Sequence, residues 1–262
     1  MFGAIPKTAW SRRYPSNEQN GCVLAMRTAL ILTDDDHTVL IDNGAGDKHL
    51  KLLSYYSFFD LADLGTELAK RDVPPEQITD VVLTHLHFDH CGYTTRKISY
   101  ENEPDRYALS FPNATHWVSR KQWNNYLSPN ALEKDSYFRE NMQAVYDSGK
   151  LRLIDDDTEL CPSVRLRLFD GHTPGQIAPY ISTPERTYIF AGDVIPLEAS
   201  VSPEWISAYD TFPVISYNEK VRMLEEAARE GQAIIYCHDA YNRCSTVKKV
   251  NDFFKKDKRL AL

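Results

Sequence analysis

Four side chains that bind metal ions in proteins stand close together in one short segment. The segment reads Thr-His-Leu-His-Phe-Asp-His-Cys-Gly over residues 84–92, and its potential ligands are His85, His87, Asp89 and His90. It directly follows an apolar run at residues 78–83, which is typical of a buried strand. Because one cation rarely takes four donors from a single tight loop, a cluster this dense indicates two cations rather than histidines that only form hydrogen bonds.

Further histidine and aspartate side chains follow other predicted strands. With His85, the residues that stand directly after an apolar-rich strand are Asp42, His172, Asp193 and His238. His172 lies between glycines in a segment typical of a tight turn. Because parallel and mixed sheets align their strand ends along one edge, these residues are expected to converge there.

Periodicity predicts the elements that must position these residues. Apolar runs and alternation predict strands at 22–32, 39–41, 78–83, 114–118, 151–154, 164–168, 187–190 and 233–236. A helical period predicts helices at 60–71, 119–127, 131–147, 217–230 and 245–256. An aromatic-rich insert spans about residues 93–150 and either fills a core or supplies an apolar pocket over the site. Since no linker divides the chain, residues 1–262 are predicted to form a single domain.

Composition excludes several classes of function. The net charge of −7 carries no basic stripe, so we expect no nucleic-acid partner. No segment has the apolar length of a membrane span or of a signal peptide, which predicts a cytoplasmic protein without membrane contact. The five cysteines are widely spaced and form no C-x-x-C motif, so a disulfide framework is not expected.

The ligand pattern resembles the metallo-β-lactamase superfamily. Its H-x-H-x-D-H signature stands at residues 85–90, followed in the same order by His172, Asp193 and His238. The resemblance covers about residues 23–250. It implies an α/β fold of the αββα sandwich type, in which two similar halves contribute two mixed sheets flanked by helices, with the metals at the edge between the sheets.

The resemblance also implies a role for each ligand. By analogy, His85, His87 and His172 would hold a first zinc ion, Asp89, His90 and His238 would hold a second, and Asp193 would bridge them. Asp42 would orient the histidine-rich loop from behind the ligands. Iron or manganese would suit the same ligand types.

Residues of the second half are similar to one branch of that superfamily. The segments 191–196, 208–210 and 219–220, together with Trp205, resemble the quorum-quenching lactonases that hydrolyse N-acyl-homoserine lactones. Those lactonases carry a tyrosine three residues after the bridging aspartate, where this chain has Pro196. A related branch, which hydrolyses aryl esters and organophosphates, has no fixed requirement at that position.

The predicted function is a metal-dependent hydrolase that opens a small-molecule lactone or ester, including N-acyl-homoserine lactones. A hydroxide activated by two zinc ions would attack the carbonyl, and Asp89 would orient it and pass its proton to the leaving oxygen. A Gly-x-Ser-x-Gly motif is absent, which argues against an α/β-hydrolase esterase. The predicted pocket wall consists of Trp205, Tyr209, Tyr137 and Phe138.

Other interpretations stay open at this point. A thioesterase of the glyoxalase II type or a phosphoesterase could use the same metals, with Arg120, Lys121 or Arg139 holding an anionic group. A metal-bound sensor or binding protein with low turnover is a third interpretation. The remaining histidines, His37, His49 and His116, are expected at the surface or in the core rather than at the metals. The oligomeric state is open, and a homodimer is compatible with the sequence.

Overall fold

The computed structural model describes residues 1–99 and 103–262. Its α-helices are α1 (Lys7–Trp10), α2 (Leu64–Ala69), α3 (Phe88–Cys91), α4 (Arg120–Leu127), α5 (Gln143–Asp147) and α6 (Pro213–Glu230). Single turns of 3-10 helix lie at Ser54–Tyr56, Pro75–Gln77, Gly92–Thr94, Lys134–Ser136, Arg139–Asn141, Gly192–Val194 and Glu198–Val201.

In the described part of the chain, the strands fall into three sheets. They are β1 (Ala29–Leu32), β2 (Thr38–Ile41), β3 (Asp80–Val82), β4 (Thr95–Lys97), β5 (Tyr107–Leu109), β6 (Thr115–Ser119), β7 (Leu151–Ile154), β8 (Thr158–Cys161), β9 (Val164–Phe169), β10 (Gln176–Ser182), β11 (Thr187–Phe190), β12 (Ala233–Ile235), β13 (Cys244–Val250) and β14 (Phe253–Arg259). The chain divides into two compact units, which we call the central unit (residues 28–155) and the terminal unit (residues 1–27 and 156–262).

The central unit is built on a five-stranded sheet in the order β1-β2-β3-β6-β7. Strands β2, β3, β6 and β7 run parallel, and β1 pairs with β2 in the antiparallel sense. The interior strands β2 and β3 are almost wholly buried, as expected for parallel strands covered on both faces. Ser119 caps the N-terminus of helix α4, because its hydroxyl accepts the Gln122 N–H. Because β3 is the middle strand of this sheet, residues 84–90, which follow it, begin at the centre of the sheet's edge.

The terminal unit contains a seven-stranded sheet in the order β14-β13-β12-β11-β10-β9-β8. Its strands are antiparallel except for the β11–β12 pair, which is parallel and is connected through α6. Helix α6 has Pro213 at its first turn and ends at Gly231, which adopts the left-handed conformation with φ +67°. Met223, Leu224 and Ala227 of α6 pack against the core of this sheet.

Several predicted elements are confirmed, and some are wrong. The strands predicted at 39–41, 151–154, 164–168 and 187–190 and the helix predicted at 119–127 form within one residue of these bounds at each end. The predicted helix at 245–256 is wrong, because this segment forms the β-hairpin of β13 and β14. The predicted helix at 131–147 is reduced to α5 and two 3-10 turns, and the strand predicted at 22–32 is confined to β1.

The prediction of one domain stays a prediction beside the division into two units. Of the aromatic-rich insert at about 93–150, residues 100–102 lie outside the described part of the chain. Among the described residues, none of the helices combines the length and the apolar character needed to cross a membrane.

Candidate metal centre

The histidine-rich loop leaves β3 and turns into helix α3, so that its four potential ligands lie close together in the central unit. The imidazole centroid of His85 lies 4.5 Å from that of His87 and 4.0 Å from that of His90. The Asp89 Oδ2 atom lies 3.8 Å from His90 Nε2. The three histidine side chains are buried, whereas the Asp89 side chain is 27% exposed. The loop thus presents a compact group of nitrogen and oxygen donors.

Asp42, at the end of β2, contacts the loop that it is predicted to orient. Its two carboxylate oxygens accept hydrogen bonds from the backbone N–H and the hydroxyl of Thr84, both at 2.8 Å. Oδ2 also accepts from His90 Nδ1 at 2.8 Å. Asp42 has a φ of +53°, a left-handed conformation that aspartate and asparagine tolerate better than most residues. The carboxylate is therefore held by the backbone at the loop's first residue.

Thr84 determines the tautomer of His85. Its hydroxyl proton is donated to Asp42, so the hydroxyl oxygen must accept from His85 Nδ1, which lies 3.0 Å away. The proton of a neutral His85 ring is then on Nδ1, and Nε2 carries the lone pair. His90 follows the same rule, because its Nδ1 donates to the Asp42 carboxylate.

Two residues of the central unit that hold the motif were missed by the sequence analysis. Glu133 is buried, and its Oε2 atom lies 3.1 Å from His87 Nε2. The Lys48 ammonium donates to the carbonyl oxygens of Gly92 and Thr95, directly after α3, and burial lowers the pKa of Lys48 to about 8. Neither residue stands at a strand end or in a motif, so no local signal marks either of them.

His172 lies in the tight turn between β9 and β10 in the terminal unit. Helix α6 holds this turn, because the Glu219 carboxylate accepts the backbone N–H groups of Asp170 and Gly171. A Cβ atom on Gly171 would lie 2.4 Å from Ser216 Cα, so only glycine allows this close approach of turn and helix. Burial raises the pKa of Glu219.

Asp193 and His238 complete a second group of donors in the terminal unit. Asp193 follows β11 and His238 follows β12, two parallel neighbours whose ends meet at one edge. His172 Nε2 lies 3.4 Å from Asp193 Oδ2, and His238 Nε2 lies 3.0 Å from Asp193 Oδ1. The structure therefore brings together three of the predicted ligands here and four in the central unit.

The tautomers in the terminal unit fit a cation-binding site. His172 Nδ1 donates to the Asp210 carboxylate at 2.9 Å, and His238 Nδ1 donates to the Ala25 carbonyl at 2.8 Å. In neutral rings, both Nε2 lone pairs then face the oxygens of Asp193. Lone pairs and a carboxylate repel one another unless a proton or a metal ion lies among them, so this donor set fits a metal ion.

The groups around His238 have shifted pKa values. Burial by itself would lower the pKa of His238, but the Asp193 carboxylate beside its Nε2 atom contributes to raising it well above its ordinary value. Burial raises the pKa of the Cys237 thiol to about 12, and this thiol lies 3.3 Å from Asp193 Oδ1. Cys237 is thus a neutral thiol at pH 7 beside the predicted bridging carboxylate.

The four predicted pocket residues have different surroundings. In the central unit, Phe138 lies in ring contact with Phe88, and the Tyr137 hydroxyl contacts Glu133. In the terminal unit, Trp205 packs against Phe2 and under the Arg13 guanidinium, whereas Tyr209 is 54% exposed.

A small cavity in the terminal unit has both Trp205 and Asp193 in its wall. Pro196, Asp210 and the buried Lys220 also line it. Lys220 donates to the Trp205 carbonyl at 2.7 Å, and burial lowers the pKa of Lys220 to about 8. The cavity therefore combines an aromatic wall with buried charged groups.

Parts of this chain resemble known proteins in sequence. Residues 24–93 match the family model described as the metallo-beta-lactamase superfamily. An N-acyl homoserine lactonase of Bacillus thuringiensis is 23% identical over 169 residues, and one of Bacillus cereus is 22% identical over 180 residues. These matches cover 63% and 66% of this chain, and they span only 57% and 61% of the lactonases' own length.

Solved structures resemble the chain over more of its length. A probable metal-dependent hydrolase from Staphylococcus aureus superimposes with a TM-score of 0.86 at 28% identity, covering 100% of this chain and 92% of that one. AidC, a dizinc quorum-quenching lactonase solved with its product, gives a TM-score of 0.70 at 21% identity, covering 91% and 81% of the two chains. The predicted α/β fold class is confirmed by these superpositions.

Proposed function

We propose that this chain is a metal-dependent hydrolase that binds two divalent cations, and the match of residues 24–93 to the metallo-beta-lactamase superfamily model supports this proposal. The proposed ligands are His85, His87, Asp89 and His90 of the central unit and His172, Asp193 and His238 of the terminal unit. Zinc is the proposed metal, since imidazole and carboxylate donors suit it and AidC is described as a dizinc enzyme.

The observation that carries this proposal is the arrangement of the histidine ring nitrogens. In every one of the five rings, one nitrogen contacts an oxygen of its own unit; these oxygens belong to Thr84, Glu133, Asp42, Asp210 and Ala25. The opposite nitrogen therefore carries the lone pair of each neutral ring: Nδ1 in His87 and Nε2 in the other four. Rings held in this way are typical of metal ligands.

When bound, the two cations would supply an activated water and polarise the substrate carbonyl. The protein's own part is to hold donors and to move a proton. Asp89, the most exposed of the motif's ligands, would orient the attacking water and pass its proton to the leaving oxygen. Asp42 would keep the loop in place through Thr84 and His90 during the reaction.

The substrate proposed is a lactone or ester with an apolar acyl or aryl group. Phe88 stands between His87 and Asp89, and its ring contacts those of Tyr56 at 5.4 Å, Phe138 at 6.1 Å and Phe58 at 6.4 Å. Tyr55, 75% exposed, extends this aromatic surface from Tyr56 towards solvent. An exposed apolar surface that starts at the motif suits an apolar part of a substrate.

N-acyl-homoserine lactones are the specific substrates proposed, since the curated relatives are named for them. The pocket residues predicted from the sequence, Tyr137, Phe138, Trp205 and Tyr209, remain candidates for contacts with the acyl chain.

A direct test combines metal analysis with a substrate panel. The purified full chain should contain two equivalents of zinc, and it should cleave at least one among lactones, aryl esters, thioesters and phosphotriesters. Chelation should abolish this activity, and added zinc should restore it. If protein that contains two equivalents of zinc cleaved none of these substrates, the result would contradict the proposal and favour a metal-bound sensor.

Ligand variants sharpen this test. His172→Ala and His238→Ala should lower the metal content and reduce kcat/KM by about 100-fold or more. Removing a ligand should cost more activity than removing a residue that only hydrogen-bonds to a ligand. The matched control is His37→Ala, which removes a histidine that pairs with Asp80 outside the proposed ligand set. The control should retain the wild-type metal content and activity.

A further inference from the structure

We infer that Glu133 is a positioning residue for His87: its carboxylate sets the tautomer and the orientation of the imidazole, so that Nδ1 is presented to a cation. The inference rests on the proposed function, because it assumes that His87 is a metal ligand. Glu133 lies 46 positions after His87 in the sequence, in a segment without a recognisable motif.

The contacts of Glu133 show how firmly its carboxylate is held. Oε1 accepts from Asn125 Nδ2 at 2.8 Å and from Asn130 Nδ2 at 2.6 Å. Oε2 accepts from the Tyr137 hydroxyl at 2.8 Å and contacts His87 Nε2 at 3.1 Å. A carboxylate offers about four lone-pair positions, and these donors occupy them. The position of the carboxylate relative to His87 is therefore defined by three other side chains.

The contact determines the state of the His87 ring. An ionised carboxylate only accepts hydrogen bonds, so His87 Nε2 must carry a proton. In the neutral ring the lone pair is then on Nδ1, the reverse of the other four histidines of the proposed set. Without Glu133, the ring could adopt either tautomer and turn about its χ angles, and Nδ1 would lose its fixed direction.

The charges support a role connected with a cation. Glu133 is 3% exposed, and the amide groups of Asn125 and Asn130 and the Tyr137 hydroxyl that donate to it carry no charge. A buried carboxylate is costly unless a positive charge compensates it. A cation bound at Nδ1 would lie on the opposite side of the same ring, where the imidazole transmits its charge to the carboxylate.

The central unit contains a matched pair for comparison. Asp80 is also buried, and it accepts from His37 Nδ1 at 2.7 Å, from the Thr79 hydroxyl at 2.7 Å and from Trp117 Nε1 at 2.8 Å. This aspartate–histidine contact has the same chemistry but belongs to no proposed ligand. Asp80→Asn therefore separates the general effect of disturbing a buried carboxylate from an effect on metal binding.

The test measures metal affinity and apoprotein stability in the full chain. Zinc affinity, obtained by competition with a chelator, should fall about 10- to 100-fold in Glu133→Ala and less in Glu133→Gln, whose amide oxygen still accepts from Nε2. Asp80→Asn should keep its zinc affinity within about threefold of the wild type, even where it lowers the unfolding temperature. Wild-type zinc affinity in folded Glu133→Ala would overturn the inference.

A measurement on the wild-type protein does not depend on how the variants fold. Nitrogen-15 NMR of histidine-labelled metal-free protein should show His87 protonated at Nε2, with the signal assigned by its loss in His87→Ala. A neutral His87 ring with its proton on Nδ1 would overturn the inference. If the wild type bound no zinc at all, the proposed function would fail with it, whereas zinc binding without an effect of Glu133 would remove only this inference.

Discussion

The Oδ2 atom of Asp42 lies 2.8 Å from Nδ1 of His90, although the two residues are 48 positions apart in the sequence. The same carboxylate accepts two hydrogen bonds from Thr84, at the start of the histidine-rich loop. One side chain at the end of β2 therefore holds both the first residue of the loop and its last potential ligand. These hydrogen bonds stabilise the conformation of the loop.

Two substitutions of Asp42 should separate the effect of its charge from the effect of its backbone conformation. Asp42→Asn retains a residue that tolerates the left-handed φ of +53°, so its cost should come mainly from the weaker contact with His90. Asp42→Ala also leaves the donors of Thr84 unpaired and should lower the free energy of unfolding by about 2–4 kcal/mol. Chemical denaturation and zinc titration measure the two effects. Equal stability of the two variants would contradict this account.

Gly92 should tolerate no side chain. A Cβ atom at this position would lie 2.0 Å from the Ala45 carbonyl oxygen. Gly92→Ala should therefore displace the chain two residues after His90 and cost about 3 kcal/mol of stability, with a loss of zinc affinity. Gly149→Ala is the control, because Gly149 has φ +70° but no atom within 4 Å of an added Cβ. It should cost only about 1 kcal/mol and leave zinc affinity unchanged.

His116 should make the stability of the protein depend on pH. Burial in the central unit lowers the pKa of His116 to about 4, from an ordinary value of 6.5. Since the unfolded chain binds the proton first as the pH falls, stability is lost from about pH 6.5 downwards. The loss should reach about 2 kcal/mol at pH 5.

The measurement for His116 is a difference between two proteins. Denaturation curves of metal-free wild type and His116→Leu, recorded from pH 7.5 to pH 5, should show the variant losing less stability by about 2 kcal/mol. Other titrating groups are common to both proteins and cancel in the comparison. Parallel pH profiles would show that His116 is protonated equally in the folded and unfolded chains.

Tyr56 should contribute to the choice of substrate. Its ring lies 5.4 Å from that of Phe88 and belongs to no proposed ligand, so Tyr56→Ala should leave the metal content unchanged. Loss of this apolar surface should lower kcat/KM for long-chain substrates by about tenfold and affect short-chain substrates less. Leu127→Ala, at an exposed apolar residue of the same unit, is the control. An equal loss of kcat/KM for substrates of every acyl-chain length would show that the acyl chain does not contact Tyr56.

The features of this protein that depend on local pattern can be predicted from its sequence. The H-x-H-x-D-H spacing after an apolar run predicts the ligand loop, and short apolar runs predict β2 and β11 near their observed positions. The strand-end rule also selects Asp42, which the structure places against the loop. These features are local because the relevant residues are neighbours in the chain or stand at the end of a strand.

Contacts between side chains of distant segments could not be predicted from the sequence. Glu133 contacts His87 and Asp210 contacts His172 across 46 and 38 residues, and a lone polar residue in a loop carries no signal of such a contact. The segment 245–256 has apolar residues at spacings that suit a helix, yet it forms β13 and β14. The segment forms strands rather than a helix because β13 pairs with β12 and β14 pairs with β13. Local periodicity contains no information about these pairings.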